Sequence, residues 1–354
     1  MATSYHRPGL SLGRGTNVAA SVVQDLQRDL RSLGYLRGGV DGKFGDGTEA
    51  AVRALQADLL ANDGGGSDGP APVALRDFNR GRVAAVTGVC DEGVAACLDE
   101  LINDASVPKL PRSDDPARAN REAVEAVVAL TGLSVPLPFL LAVLEQESDL
   151  HHFRVPAGAD ADDFIVVGLD RNNAANRDRI TSRGYGLGQF TLFHHPPTPE
   201  EIDAVMLDPR RNVARAEREL REKFEGFVMG STSATQADDR VAEIGRGPLR
   251  RCRFAADDGR FMRDCRTCVK TAPHVSLGPG DPLYPGSSER LVPTQYHHEQ
   301  RYDDLPDRKE LGCDWPYAVR RYNGSGVNSY HYQAQVLIRL DRDRVLSELF
   351  PTSG

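Results

Sequence analysis

Apolar residues recur along this chain at helical spacing, in stripes broken by glycine-, proline- and asparagine-rich segments. Val22, Val23, Leu26, Leu30 and Leu33 form the first stripe, which Gly34 ends. After a glycine-rich turn, Thr48 is placed to cap a second helix carrying Ala51, Val52, Leu55 and Leu59. A third helix is predicted over residues 118–130, with Val124, Val127 and Val128 on one face. The most apolar helix covers residues 138–150 (PFLLAVLEQESDL), where Leu140, Val143, Leu144 and Glu147 share a stripe. Glu145 lies about 200° round from Glu147 and reads as solvated. Asp208 and Pro209 then read as cap and first residue of a helix with Val213, Leu220 and Phe224, and Val336, Leu337 and Leu340 mark a last one. The expected fold is mainly α.

The first region contains an internal half-repeat. Aligning Thr87–Leu98 with Asp41–Val52 pairs Gly42 with Gly88, Gly47 with Gly93, Ala50 with Ala96 and Val52 with Leu98. It also places Cys90 opposite Phe44 and Cys97 opposite Ala51, as packed thiols rather than a disulfide. Punctuation suggests a tail over 1–17, a domain over 18–103 with a flexible insertion at 62–80, a linker over 104–117 and a second domain over 118–350. That second domain has a long irregular insertion at about 230–312.

Residues 18–60 resemble the small three-helix peptidoglycan-binding domain, whose hallmark runs LQ, LGY, VDG, FG, T, AV and LQ. Here it is met by Leu26-Gln27, Leu33-Gly34-Tyr35, Val40-Asp41-Gly42, Phe44-Gly45, Thr48, Ala51-Val52 and Leu55-Gln56. Tyr35, Asp41, Gly42, Phe44 and Thr48 are its characteristic positions. The second domain resembles soluble lytic transglycosylases and goose-type lysozymes, on three motifs in order. Glu147-Ser148 stands for ES, Gly186-Leu187-Gly188-Gln189 for GLMQ with Gly188 replacing Met, and Ala318–Gly324 (AVRRYNG) for the A.YN.G segment.

The resemblance implies an α-helical lysozyme-like fold that cleaves the β-1,4 bond between N-acetylmuramic acid and N-acetylglucosamine. Glu147 would be the general acid. A carboxylate at the edge of an apolar face loses hydration, which favours its protonated form; the bland alternative for Glu147 is a buried acid held by an Arg or a backbone donor. Ser148, Tyr185, Gly186, Gln189, Tyr322 and Asn323 would line the sugar site. In goose-type enzymes a further Asp positions water; Ile180 occupies the aligned position, and Asp178 and Asp170 lie nearby. A water held by either Asp implies hydrolysis, and Glu147 acting alone implies an anhydro product. Neither route requires a cofactor.

Bulk properties narrow the partners. The 354 residues carry a net charge of -8, against the basic face of a nucleic-acid binder or an electrostatic membrane disruptor. No segment reaches the roughly 18 apolar residues of a membrane span, and the N-terminus lacks the apolar core of a secretory signal. A wall-acting chain of this kind would leave the cytoplasm by injection, secretion or lysis, as a phage endolysin or a bacteriolytic effector. An immunity protein or a secretion-machine component is then an expected partner. Cys252, Cys265, Cys268 and Cys313, with His274 near, fit a structural zinc site, disulfides or unpaired thiols equally. The histidine pairs 151–152, 194–195 and 297–298 read as surface or lining residues. The competing function class is a non-catalytic wall-binding or injection-apparatus component. A zinc peptidase is weaker, lacking an HExxH-type motif.

Overall fold

The computed structural model describes residues 3–128, 134–156, 163–229, 250–265, 312–324 and 327–342. It is helix-rich and divides into two compact units, Met1–Ala123 with His151–Asn212 and Val124–Leu150 with Val213–Gly354. This division departs from a boundary at 118, because residues 151–212 pack with the N-terminal module.

In the first unit, α1 (Ala20–Ser32), α2 (Asp46–Ala61) and α3 (Glu92–Asn103) surround a core of Leu26, Leu30, Val52, Leu55, Leu59, Leu98 and Leu101. The α1 stripe is buried as its spacing predicts. Gly34, with φ +75°, reverses the chain while the Tyr35 amide donates to the Leu30 carbonyl at 2.8 Å.

The half-repeat has a physical basis in two glutamines. Gln27, on α1, accepts from the Gly42 amide at 2.8 Å and donates to Asp41 at 2.8 Å, the Lys43 carbonyl at 3.1 Å and Thr48 Oγ1 at 2.9 Å. Gln56, on α2, repeats this: it accepts from the Thr87 and Gly88 amides at 2.9 and 2.8 Å and donates to Thr87 Oγ1 and the Val89 carbonyl. Gly42 and Gly88 both have positive φ, +73° and +79°. A Cβ on Gly42 would meet Ala20 Cβ at 2.9 Å, and one on Gly88 would meet Glu49 Cγ at 2.8 Å. Each Gln therefore clamps a glycine turn that starts the next helix. Thr48 sits inside α2, buried against Gln27, and the cap position is Gly45, so the reading of Thr48 as a cap is corrected. Asp91 caps α3 by accepting from the Val94 amide at 2.9 Å.

Gln27→Ala leaves the half-buried Gly42 amide without its acceptor and removes the donor to Thr48 Oγ1, and should lower unfolding free energy by about 1–2 kcal/mol. Chemical denaturation of the variant checks this.

The supposed tail, insertion and linker are all packed in this unit. Tyr5 and Leu12 are buried, and Leu12 bridges to Cys90. Within 62–80, β1 (Gly65–Gly66) and β2 (Gly69–Pro70) form a hairpin, followed by a 3-10 turn at Leu75–Phe78. Asp68 pins that hairpin by accepting from the Phe193 amide at 2.8 Å and pairing with His194 Nδ1 at 2.9 Å. The 104–117 segment is held by the Leu110 amide on the Ser32 carbonyl at 2.7 Å and by Arg112 on Asp163 at 2.7 and 3.0 Å. Cys90 and Cys97 are both buried thiols, and burial pushes the Cys90 thiol up to about 12.

Residues 151–212 add an antiparallel sheet of β3 (Val167–Asp170), β4 (Ser182–Tyr185) and β5 (Phe190–Leu192). β4 ties this sheet to the module. Arg183 donates to Asp58 at 3.2 Å and to the Gly34 carbonyl at 3.2 Å, and its guanidinium lies 5.1 Å from the Tyr35 ring centre. Tyr35 in turn donates to Asp58 at 2.8 Å.

After α3 comes α4 (Pro116–Val128). In the second unit, α5 (Leu137–Ser148) is buried on all sides through its apolar run, from Pro138 to Leu144, rather than along one stripe. It packs with α7 (Trp315–Tyr322) and α8 (Val327–Arg342). Beyond α6 (Pro209–Glu222), Phe224 stacks on Trp315 with ring centres 4.1 Å apart. Among the described residues, no helix is long and apolar enough to cross a membrane.

Candidate active site

α5 ends in a left-handed Asp149, with φ 54°, which leaves Glu147 half-buried at the rim of the core. Tyr332, on α8 and almost fully buried, donates its hydroxyl to Glu147 Oε1 at 2.6 Å. Tyr322, the last residue of α7, is half-buried, and burial together with the charges of Glu219 and Glu147 pushes its phenol well up. Tyr332 is pushed up by burial, then by Glu147 and Tyr322. Glu219, on α6, is half-buried; burial raises its carboxyl above the ordinary range against the pull of Lys223 and Arg215, with Lys223 Nζ 3.9 Å away. Two carboxylates and two tyrosines thus share one electrostatic neighbourhood in the second unit.

Such a cluster suits proton transfer. A hydroxyl donor fixes one oxygen of Glu147, and burial of Glu219 favours a carboxyl that keeps its proton. Glu219 and Tyr332 escape motif reading. Glu219 lies among alternating Arg and Glu on α6, which reads as a solvated face, although its neighbours Ala216 and Leu220 are buried. Ser148 Oγ donates back to the Leu144 carbonyl at 3.0 Å, and Asn323 is exposed at the end of α7.

The other expected site residues belong to the first unit, and their chemistry there is structural. Asp178 receives both Arg53 donors, Nε at 2.7 Å and Nη2 at 2.8 Å, and this hydrogen bonding with Arg53 holds its carboxyl below the usual range. Each of its oxygens is engaged in an ion pair with Arg53, a structural role beside the expected one of holding water. Asp170 accepts from the Ser182 hydroxyl at 2.9 Å. Tyr185 is fully buried in the core beside β3.

Residues 186–189 form the turn between β4 and β5. Gln189, with φ 50°, folds back and donates to the Gly186 carbonyl at 2.7 Å. Its side chain lies over the facing pair Gly168 and Gly184, where an added Cβ would meet Gln189 Oε1 at 2.2 and 2.7 Å. Two glycines across a register position make room for this one amide. Gly188 donates to Asn212 at 2.7 Å.

Of the surface and lining readings of the histidine pairs, the first is set aside for His152, His194 and His195, which are buried, and His195 lines a cavity. His152 donates from Nε2 to the Met206 carbonyl at 2.7 Å and accepts the Leu187 amide on Nδ1 at 3.2 Å, so the ring is neutral with its proton on Nε2. Burial lowers its pKa to about 4. Because the folded value lies below the unfolded value near 6.5, stability is complete above the unfolded value and is lost as pH falls toward 4. The loss should approach about 3 kcal/mol. Urea unfolding at pH 7 and pH 4 should show it, and His152→Gln should flatten that part of the pH dependence. His194 behaves oppositely: burial works against its charge, but Asp68 at 2.9 Å and Glu201 at 2.9 Å prevail and raise its pKa.

In the peptidoglycan-binding signature, Tyr35 and Thr48 are buried, Gly42 is a turn glycine, Phe44 packs partly against the core, and Asp41 holds Gln27 and the Lys43 amide at 2.9 Å. In the structure these characteristic positions build the module itself. Of the cysteines expected near 230–312, Cys265 and Cys313 are buried and Cys252 is half-buried, with its Sγ accepting the Met262 amide at 3.3 Å. Cys268 and His274 lie outside the described residues, as does most of the insertion. Among the described residues no group of three or more His, Cys, Asp or Glu is arranged to hold a metal.

Residues 20–59 match the family model described as "Putative peptidoglycan binding domain". No curated protein and no solved structure matches the chain. The N-terminal part is thus a peptidoglycan-binding domain, and cell-wall association follows from it.

Proposed function

We propose that this chain, anchored on the wall polymer by its peptidoglycan-binding domain, cleaves the glycan strand at the β-1,4 bond between N-acetylmuramic acid and N-acetylglucosamine. The observation that carries this reading is Glu147 at the end of a buried helix, held by the Tyr332 hydroxyl at 2.6 Å and neighboured by Glu219 and Tyr322. Glu147 donates a proton to the leaving glycosidic oxygen. Tyr332 keeps one carboxyl oxygen in place, so the other faces the bond to be broken. Hydrolysis requires a carboxylate to deprotonate water; the anhydro route closes the muramic 6-hydroxyl on C1, with Glu147 accepting its proton. The binding domain contributes local concentration rather than chemistry. Setting follows from substrate: a bacteriolytic effector or phage endolysin acting at the wall, with an immunity protein or secretion component as partner. No cofactor is assigned to either route, and zinc on the cysteine set would be structural.

Incubation of the full chain with purified sacculi tests this. The expected result is release of soluble saccharide; binding to sacculi with no release would instead make the protein a wall-binding component.

A further inference from the structure

A cavity of about 330 Å³ opens on the first unit, between the end of α2 and the segments 173–183 and 193–195. Glu147 does not line it. Its rim combines three features suited to a sugar. Phe193 is 54% exposed, an unusual position for a large apolar ring, and offers a flat face. Asn173 and Asn176 use their side-chain oxygens on the loop's own amides: Asn173 accepts from Ala175 and Asn176, and Asn176 from Asp178 and Arg179. Their Nδ2 groups thereby remain as donors with no partner among the described residues. Arg179 adds an exposed guanidinium. At the floor, His195 is 4% exposed, and its Nδ1 has no hydrogen-bond partner among the described residues. Asp58 and Arg183, also lining it, are already paired with each other.

The set is rich in donors on its rim, with a stacking face beside them. We infer that this cavity is a second glycan subsite, which binds an N-acetylated sugar of the peptidoglycan strand apart from the cleavage site. The Asn amides and Arg179 meet acetamido and muramyl carboxylate oxygens, and Phe193 stacks on the ring. The inference rests on the peptidoglycan-binding domain and not on cleavage at Glu147. The rim is built by residues 173–181 and Phe193, outside the 20–59 match, so recognition extends beyond the three-helix module.

The test uses full-length protein carrying Glu147→Gln, so that the strand stays intact, titrated calorimetrically with peptide-free glycan strands. Phe193→Ala and Arg179→Ala, each added to that background, should weaken binding about tenfold with thermal midpoints unchanged. Hydrogen exchange at 173–181 should slow when strands are added. Wild-type affinity in either variant would overturn the subsite. Cleavage is scored separately on sacculi with the Glu147-intact chain, so an inactive chain whose strand binding still depends on Phe193 and Arg179 would remove the enzyme reading and leave this one.

Discussion

Replacing Glu147 by Gln should slow glycan-strand cleavage by about 10²–10⁴-fold, the contribution of a positioned general acid, with sacculus binding and folding preserved. The amide keeps the shape of the side chain, and its oxygen can still accept the Tyr332 hydroxyl, bonded at 2.6 Å in the native protein. What it cannot do is deliver a proton. Tyr332→Phe gives the complementary result: the acid stays but loses its anchor, and one hydrogen bond is worth enough for a loss of about tenfold. Release of dye-labelled fragments from sacculi by the three proteins would order them wild type, Tyr332→Phe, Glu147→Gln. Equal rates for wild type and Glu147→Gln would remove Glu147 from the acid's role.

The largest stability effect should come from Arg183→Leu. Arg183 and Asp58 are both nearly inaccessible, and the guanidinium also holds the Gly34 carbonyl and covers the Tyr35 ring. Removing the cation leaves the Asp58 carboxylate buried with Tyr35 as its remaining donor at 2.8 Å. Breaking one side of a buried pair costs about 3–5 kcal/mol, mostly because of the stranded charge. Adding Asp58→Asn to Arg183→Leu should therefore recover part of the loss, since the two residues act as a unit. Urea unfolding of the single and double variants measures this coupling, and additive losses would deny it.

These two cases also show what could be read from sequence. Gly42 and Gly88 are legible because the half-repeat aligns them, whereas the glutamines that clamp them stand 15 and 32 positions away. The cap at Asp208, which accepts from the Arg210 amide at 2.9 Å, is legible as local turn chemistry, whereas the predicted stripe of α5 is a run buried on all sides. Arg183 and Asp58 are 125 positions apart, and Tyr332 and Glu147 are 185 apart. No period connects such pairs. Polar composition misleads in the same way: the 62–80 and 104–117 segments read as loose, yet Asp68 and Arg112 fasten them through long-range partners. Asp178 lies at a suggestive place in sequence, but Arg53 claims it. Glu219 has no motif at all, and only the burial around α6 sets it apart from the charged residues beside it.

The central claim is that the chain cuts the glycan strand with Glu147 as the acid. It is tested most directly by mass spectrometry of the muropeptides released from purified sacculi by wild type and by Glu147→Gln. Wild type should release saccharides cut on the reducing side of N-acetylmuramic acid, ending in a free reducing end if water attacks or a 1,6-anhydro ring if the muramic hydroxyl does, and Glu147→Gln should release neither. Sacculi left intact by wild type, or the same fragments released by both proteins, would contradict the account.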